Sequence, residues 1–262
     1  MNSFKKDFLQ GSKNKKEMEC LFNQLEKVLL TWTSEWTNFF SAPVLEEASK
    51  RLKLLDDIQF YTDGGYPNAE RKRIYLARGS AEMGFFKPPS TIQVINIQGN
   101  FLFDRAQSKD FKNVLLNLGL SCEELGDIWL IKDRGAQVLC TSNAAQQVNR
   151  KSGLIRSVEI TCEALEITQL NIPLQKVSKL IKTVEASTRL DAITSAGFGI
   201  SRAKAVALIK NGAIRLNWNS IKQASRLLKT GDRIQLDRKG NLEILSMELT
   251  KKERWRIDLL RH

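Results

Sequence analysis

The chain has 262 residues, 42% hydrophobic and 27% charged, with 41 Lys plus Arg against 29 Asp plus Glu and a formal net charge of +12. That composition excludes wholesale disorder. The sign of the charge points to an anionic partner, nucleic acid before a membrane surface.

The excess is unevenly placed. Residues 187–247 hold 11 basic and 4 acidic residues, and the tail from Glu248 holds 5 against 3, so a basic module follows a nearly neutral body. The only histidine is His262, and Cys20, Cys122, Cys140 and Cys162 are widely separated with no C-x-x-C pair. Zinc ligation is therefore not expected, nor any other metal or cofactor. The cysteines suit a reducing compartment as small buried apolar residues. No apolar run reaches the length of a signal peptide or membrane span, so the expectation is a cytoplasmic location.

Taken in order, residues 1–86 read as a mostly helical region. Met18, Leu21, Phe22, Leu25, Val28 and Leu29 recur at helical spacing, the mark of one buried face. A second helix starts near Pro43, and Gly64-Gly65 marks a turn between a strand and a following strand or helix. Residues 87–170 read as strand (TIQVINIQG), helix (DFKNVLLNLGL), a hairpin turning at Asp133-Arg134-Gly135, a helix capped by Ser142 or Asn143, and strand (SVEITCEAL). This is the β-α-β-β-α-β order of ferredoxin-like and RRM-like folds, which serve many functions. Phe101, Phe103 and Trp129 are the aromatics available for stacking on it. Residues 171–186 read as a linker, with a helical connector as the alternative.

From 187 to 262 two short helices precede alternating strands, the first helix closed by Gly197 and the second capped by Ser201 and stopped at Gly212. The tail beyond Lys252 alternates as a returning strand, with a basic helix as the alternative. The fold class expected is therefore α+β. On the second helix Ala205, Val206, Leu208 and Ile209 gather on one side, while Ala203, Lys204, Ala207, Lys210 and Asn211 share the other. Alanines between lysines let a phosphate backbone approach. Arg202 occupies the first turn, where unpaired N–H groups and the helix dipole favour an anion. Arg189, Arg215, Lys222, Arg226 and Lys229 add like charge nearby, more than a merely solvated face needs.

The stretch Thr188–Leu245 closely resembles an S4 RNA-binding domain through Arg189-Leu190-Asp191, Ser201-Arg202, Ile209, Gly212, Asn217 and Gly231-Asp232. The resemblance implies a two-helix face beside a small sheet that binds structured RNA, and adds Ser201 and Asn217 to the candidate contacts. Asp191 also fits the R-L-D letters of the catalytic aspartate in some pseudouridine synthases. The continuation is unlike theirs, however, so Asp191 reads as capping or ordering the first helix. GGYPNAERKR (64–73) and LGLSCEELGDI (118–128) extend the likeness to YlmH-type proteins. A cyanobacterial and plastid version, catalogued as photosystem II S4 domain protein, is resembled by the tail after Leu249. The family implies RNA binding, on the large ribosomal subunit or with stalled peptidyl-tRNA; from the lack of an apolar span, no membrane partner is expected. Arg71, Lys72 and Arg73 after the Gly-Gly turn read equally as a second phosphate contact or an ordinary polar turn. Gly119 and Gly126-Asp127 read as turn residues.

A non-catalytic RNA-binding factor is the first reading. An RNA-modifying enzyme with its chemistry in residues 1–186, and a protein-interaction factor linked to photosystem II assembly, are the alternatives. The chain offers no usable histidine base and no P-loop.

Overall fold

The computed structural model describes residues 2–67, 69–79, 88–171, 178–236 and 239–262. The chain divides into two compact units, Met1–Pro173 and Leu174–His262. The expected boundary at 86/87 falls outside the described residues.

In the first unit α1 (Asn2–Leu9), α2 (Lys15–Thr31) and α3 (Ala42–Leu52) bury one face each, α2 through Met18, Leu21, Phe22, Leu25 and Val28. Pro43 sits in the first turn of α3. These helices cover an antiparallel sheet of β1 (Glu35–Trp36), β2 (Ile58–Asp63) and β3 (Arg73–Arg78), in the order β1-β3-β2. Helical periodicity makes α2 and α3 legible. The region nevertheless holds more strand than expected, because Ile74 and Leu76 of β3 close the helical core from the other side.

The second half of this unit is an antiparallel sheet ordered β5-β6-β4-β8-β7, with β4 (Ile92–Gln98), β5 (Leu125–Leu130), β6 (Gly135–Thr141), β7 (Ser152–Ile155) and β8 (Val158–Leu165). With α4 (Ser108–Asn117) and α5 (Ser142–Val148), strands β4, β5, β6 and β8 give the ferredoxin-like order. β7 is an addition: the chain turns at Arg156, whose φ is +55, and pairs back on β8. Thr141, one residue before the expected caps, caps α5 by accepting from the Ala144 N–H.

The sheet face away from α4 and α5 is partly roofed by the chain itself. Phe39 packs with Ile92, Val94 and Leu139, and Tyr66, Ile167 and Leu170 lie against them. Of the aromatics expected to offer stacking, Phe101 is buried against Phe111 and Trp129 stands edge-on to Tyr66 at 4.9 Å between centroids. Phe103 projects from a loop, 94% exposed.

Two sequence stretches meet here. The Asp127 carboxylate accepts from the Tyr66 hydroxyl (2.8 Å), the Glu70 N–H (2.7 Å) and the Arg71 N–H (3.0 Å). In return Arg71 donates to the carbonyls of Leu125, Phe39 and Cys122. Gly126 leaves room for the Phe39 ring, which a Cβ would meet at 2.8 Å. Gly64 is as restricted: a Cβ there would lie 2.3 Å from that of Ala69. GGYPNAERKR and LGLSCEELGDI are thus two halves of one interlock.

The second unit has β9 (Lys179–Glu185), α6 (Leu190–Phe198), α7 (Arg202–Lys210), β10 (Ile214–Leu216), β11 (Asn219–Ser220), β12 (Arg233–Leu236), β13 (Gly240–Leu249) and β14 (Trp255–Arg261). The sheet runs β11-β10-β12-β13-β14-β9, each pair antiparallel. The tail is the returning strand expected. Half of the stretch read as a linker is β9, recruited because β14 offers it a full row of partners. Residues of α6 and α7 join strand residues such as Ile234, Leu242, Ile244, Ile257 and Leu259 in one core. Gly197 does not end α6 but packs against Leu242, and the helix closes at Gly199 with φ +60.

Cys140 and Cys162 are buried, and burial pushes their thiols up to about 12 and about 11; Cys20 is exposed, unlike the expectation. Asp127→Ala leaves three donors without their acceptor and is expected to destabilise the first unit by about 2 kcal/mol. Tyr66→Phe, which removes one donor, should cost about 1 kcal/mol or less. Urea unfolding followed by circular dichroism checks both.

Candidate nucleic-acid interface

The basic cluster of the second unit is assembled from three pieces of chain. The first is the corner between α6 and α7, which bends by 116°. Ser201 forms the start of α7 as expected, its Oγ accepting from the Lys204 N–H at 3.2 Å. The second is the outer face of α7: Ala203, Lys204, Ala207, Lys210 and Asn211 are exposed, whereas Ala205 and Ile209 are buried. The third is the strap 221–229. It lies beside the start of α6 through three backbone bonds, Leu190 N–H to Arg226 O, Asp191 N–H to Ala224 O, and Leu228 N–H to Thr188 O. Lys222, Arg226 and Lys229 are thereby carried to the side of Arg189.

At the corner, Asp191 is buried at 3% exposure. One carboxylate serves two guanidiniums. Arg189 reaches it through Nε (3.0 Å) and Nη2 (3.2 Å), and Arg202 through Nε (3.1 Å) and Nη2 (3.4 Å). The Ala192 N–H adds a fifth donor at 3.0 Å. Burial alone would push this carboxyl up, but the hydrogen bonds from Arg189 and Arg202 hold it below the usual carboxylate range. Each arginine spends one edge on Asp191. The Nη1 groups take no part in these bonds, and both side chains stay partly exposed. Paired edge-on in this way, a guanidinium is fixed in plane with donors left over, the geometry that suits phosphate oxygens.

Lys204, Lys210, Arg215, Lys222, Arg226 and Lys229 are exposed and form no ion pair among the described residues. Not all belong together. Arg215 lies on the sheet face opposite Ile214, which is buried under the helices. Asn217 is committed to structure: its amide donates to Asp232 (2.8 Å), and its Oδ1 accepts from the Arg233 N–H (2.9 Å). Asp232, itself buried, also accepts from the Lys229 N–H.

Arg71, Lys72 and Arg73 belong to the other unit. Arg71 is the bolt of the interlock described above. Arg73 is buried, donates to the Thr37 carbonyl (2.6 Å) and Thr91 Oγ1 (2.6 Å), and stacks near Trp36; burial pulls its guanidinium down to about 10. Lys72 is half-buried, its backbone bridged to Phe40. Among the described residues no group of three His, Cys, Asp or Glu side chains is placed to hold a metal.

The sequence marked Asp191 as a helix-ordering residue. Its second role, joining Arg189 to Arg202, was concealed by the 13-residue separation of the arginines. Because its folded carboxyl is depressed, the stabilisation it gives is complete above the unfolded value near pH 4 and is lost as pH falls through the lower folded value. Asp191→Asn should therefore lower the urea midpoint at pH 7, and its gap from the unsubstituted protein should narrow steadily below about pH 4. Urea unfolding over a pH series checks it.

Comparison with known proteins follows these outlines. Residues 13–81 match the family described as YlmH, N-terminal, and residues 188–234 match the S4 domain. Over 204 residues the chain is 28% identical to ribosome-associated protein quality control protein P2 of Bacillus subtilis (strain 168), covering 77% of each chain. Among solved structures, cell division protein ylmH from Streptococcus pneumoniae aligns with 62% of this chain and 96% of its own at 16% identity, with a TM-score of 0.48. The S4 match begins one residue before Arg189 and takes in the corner, α7 and the strap. The chain thus resembles YlmH-type proteins, with a YlmH N-terminal match ahead of an S4 domain match.

Proposed function

We propose that this protein is a non-catalytic RNA-binding factor that grips structured ribosomal RNA on the large ribosomal subunit, including stalled subunits that hold peptidyl-tRNA. The observation that carries the reading is the cluster in the second unit. Lys204, Lys210, Lys222, Arg226 and Lys229 are exposed, without ion pairs among the described residues, beside two arginines whose orientation is set by Asp191. A surface evolved only for solubility would mix the signs, whereas single-sign charge with small alanines between suits a phosphate backbone.

The similarity to a protein named as ribosome-associated supports the ribosome as the source of that RNA and the cytoplasm as the place. A binding role also fits the chemistry of the cluster. Its one buried carboxylate is fully occupied by donors, which leaves it a poor base.

The test is co-sedimentation with purified large and small ribosomal subunits, using the unsubstituted protein and a Lys204→Glu, Lys210→Glu, Arg226→Glu variant. These three side chains make no hydrogen bond or ion pair among the described residues, so the variant should keep its circular-dichroism spectrum and melting temperature. Arg202 is left intact because a carboxylate there would face Asp191. The expectation is that the unsubstituted protein runs with the large subunit and the variant stays free. On naked ribosomal RNA, the salt slope of log K should fall by about 2 to 3 for three lost phosphate contacts. Unsubstituted protein that remains free of both subunits at low salt overturns the reading.

A further inference from the structure

The hairpin joining β10 to β11 turns through Asn217 and Trp218, with φ of +46 and +70, between the paired residues Leu216 and Asn219. Two left-handed residues in a two-residue loop define a type I′ turn, for which Asn then Gly is the favoured pair. Asn217 fits, and its side chain does the holding, tied to Asp232 and Arg233. Trp218 does not fit. A bulky residue at positive φ is an outlier whose backbone strain needs compensation.

The fold supplies little. Among the described residues Trp218 is half-buried without being one of the side chains packed on the core of its unit, and its indole Nε1 is buried without an acceptor. Glycine would relax the backbone and remove the orphaned donor together. The surroundings, by contrast, suit RNA. β11 lies beside the end of α7, where a Cβ on Gly212 would stand 3.6 Å from Ser220 Oγ. The turn therefore adjoins the end of the helix that carries Lys210 and Asn211. Arg215 precedes it on β10 and Lys222 follows β11, both exposed.

We propose that Trp218 is the stacking site for an unpaired nucleobase of the RNA held by the S4 domain, an inference that rests on the RNA-binding reading above. The lysines and arginines would hold the backbone. The indole would hold a base splayed out of a loop or bulge, because only an unstacked base offers its π face. This makes Trp218 a determinant of RNA class, selecting RNA with unpaired residues over plain duplex.

The test uses two fluorescently labelled probes of one stem sequence, a stem-loop and a blunt duplex, with the full chain as unsubstituted protein, Trp218→Gly and Trp218→Phe. Trp218→Gly should bind the stem-loop about tenfold more weakly, a loss in the range of one base–aromatic stack. Its affinity for the duplex should be unchanged and its melting temperature equal or higher. Trp218→Phe should keep most of the stem-loop affinity. Trp218→Gly that binds both probes normally overturns the proposal. So does a fall in melting temperature for both variants accompanied by equal losses on both probes, which marks a structural role. The Lys204→Glu, Lys210→Glu, Arg226→Glu variant reads the other question. If it alone keeps full affinity for both probes while Trp218→Gly loses the stem-loop, the basic grip fails and the stacking site stands.

Discussion

The carboxylate of Asp191 lies nearly out of water and stays charged there because two guanidiniums and a backbone N–H meet it. A buried charge left unpaired would cost several kcal/mol, so the chain must bring Arg189 and Arg202 to that point. Doing so fixes where α7 begins relative to α6. It also sets where the strap 221–229 can lie, since that strap bonds the backbone on either side of Asp191. The geometry of the basic face descends from this one acid. Asp232 and Asp127 repeat the device elsewhere, the first holding Asn217 and the Lys229 turn, the second holding Tyr66, Glu70 and Arg71. In each case a short acid gathers donors from segments that share no regular ladder.

The candidate cations divide by whether the fold uses them. Arg71, Arg73, Arg189 and Arg202 are all engaged within the protein, each through more than one N–H. Lys204, Lys210, Lys222 and Lys229, together with Arg215 and Arg226, carry no ion pair among the described residues. The planar fork of arginine is suited to bridging carbonyls and carboxylates at fixed angles, and the hydrated ammonium of lysine is not. A count of positive charge therefore overstates the field available to a polyanion, while the unpaired side chains and the spare Nη1 edges at the α6–α7 corner measure it more closely.

The helices α2, α3 and α7, the ferredoxin-like order and the returning tail could be read from the chain because each rests on local periodicity or capping. So could the exposed face of α7, where the pattern Lys204, Ala207, Lys210, Asn211 sits opposite Ala205 and Ile209. What escaped depends on distant partners. β9 looks like a connector until β14 is beside it. Arg71 and Arg73 look like a phosphate contact until Phe39, Thr37 and Thr91 are seen to use their N–H groups. Asn217 carries an RNA-binding domain's signature letter, yet its amide is engaged inside the turn. Sequence spacing reports which faces form. It does not report which polar groups those faces consume.

The place of β14 in its sheet has a consequence for synthesis. It lies between β13 and β9, so β9 has nothing to pair with until about seventy further residues have followed it. Through that interval the strand LIKTVE is an unpaired edge that carries Leu180 and Val184, side chains that remain half in water even in the finished sheet. An apolar edge waiting for a distant partner is open to pairing with another copy. Lys182, between those two side chains, and Lys179 give this strand, which stays at the edge of the finished sheet, a like charge that disfavours pairing with another copy.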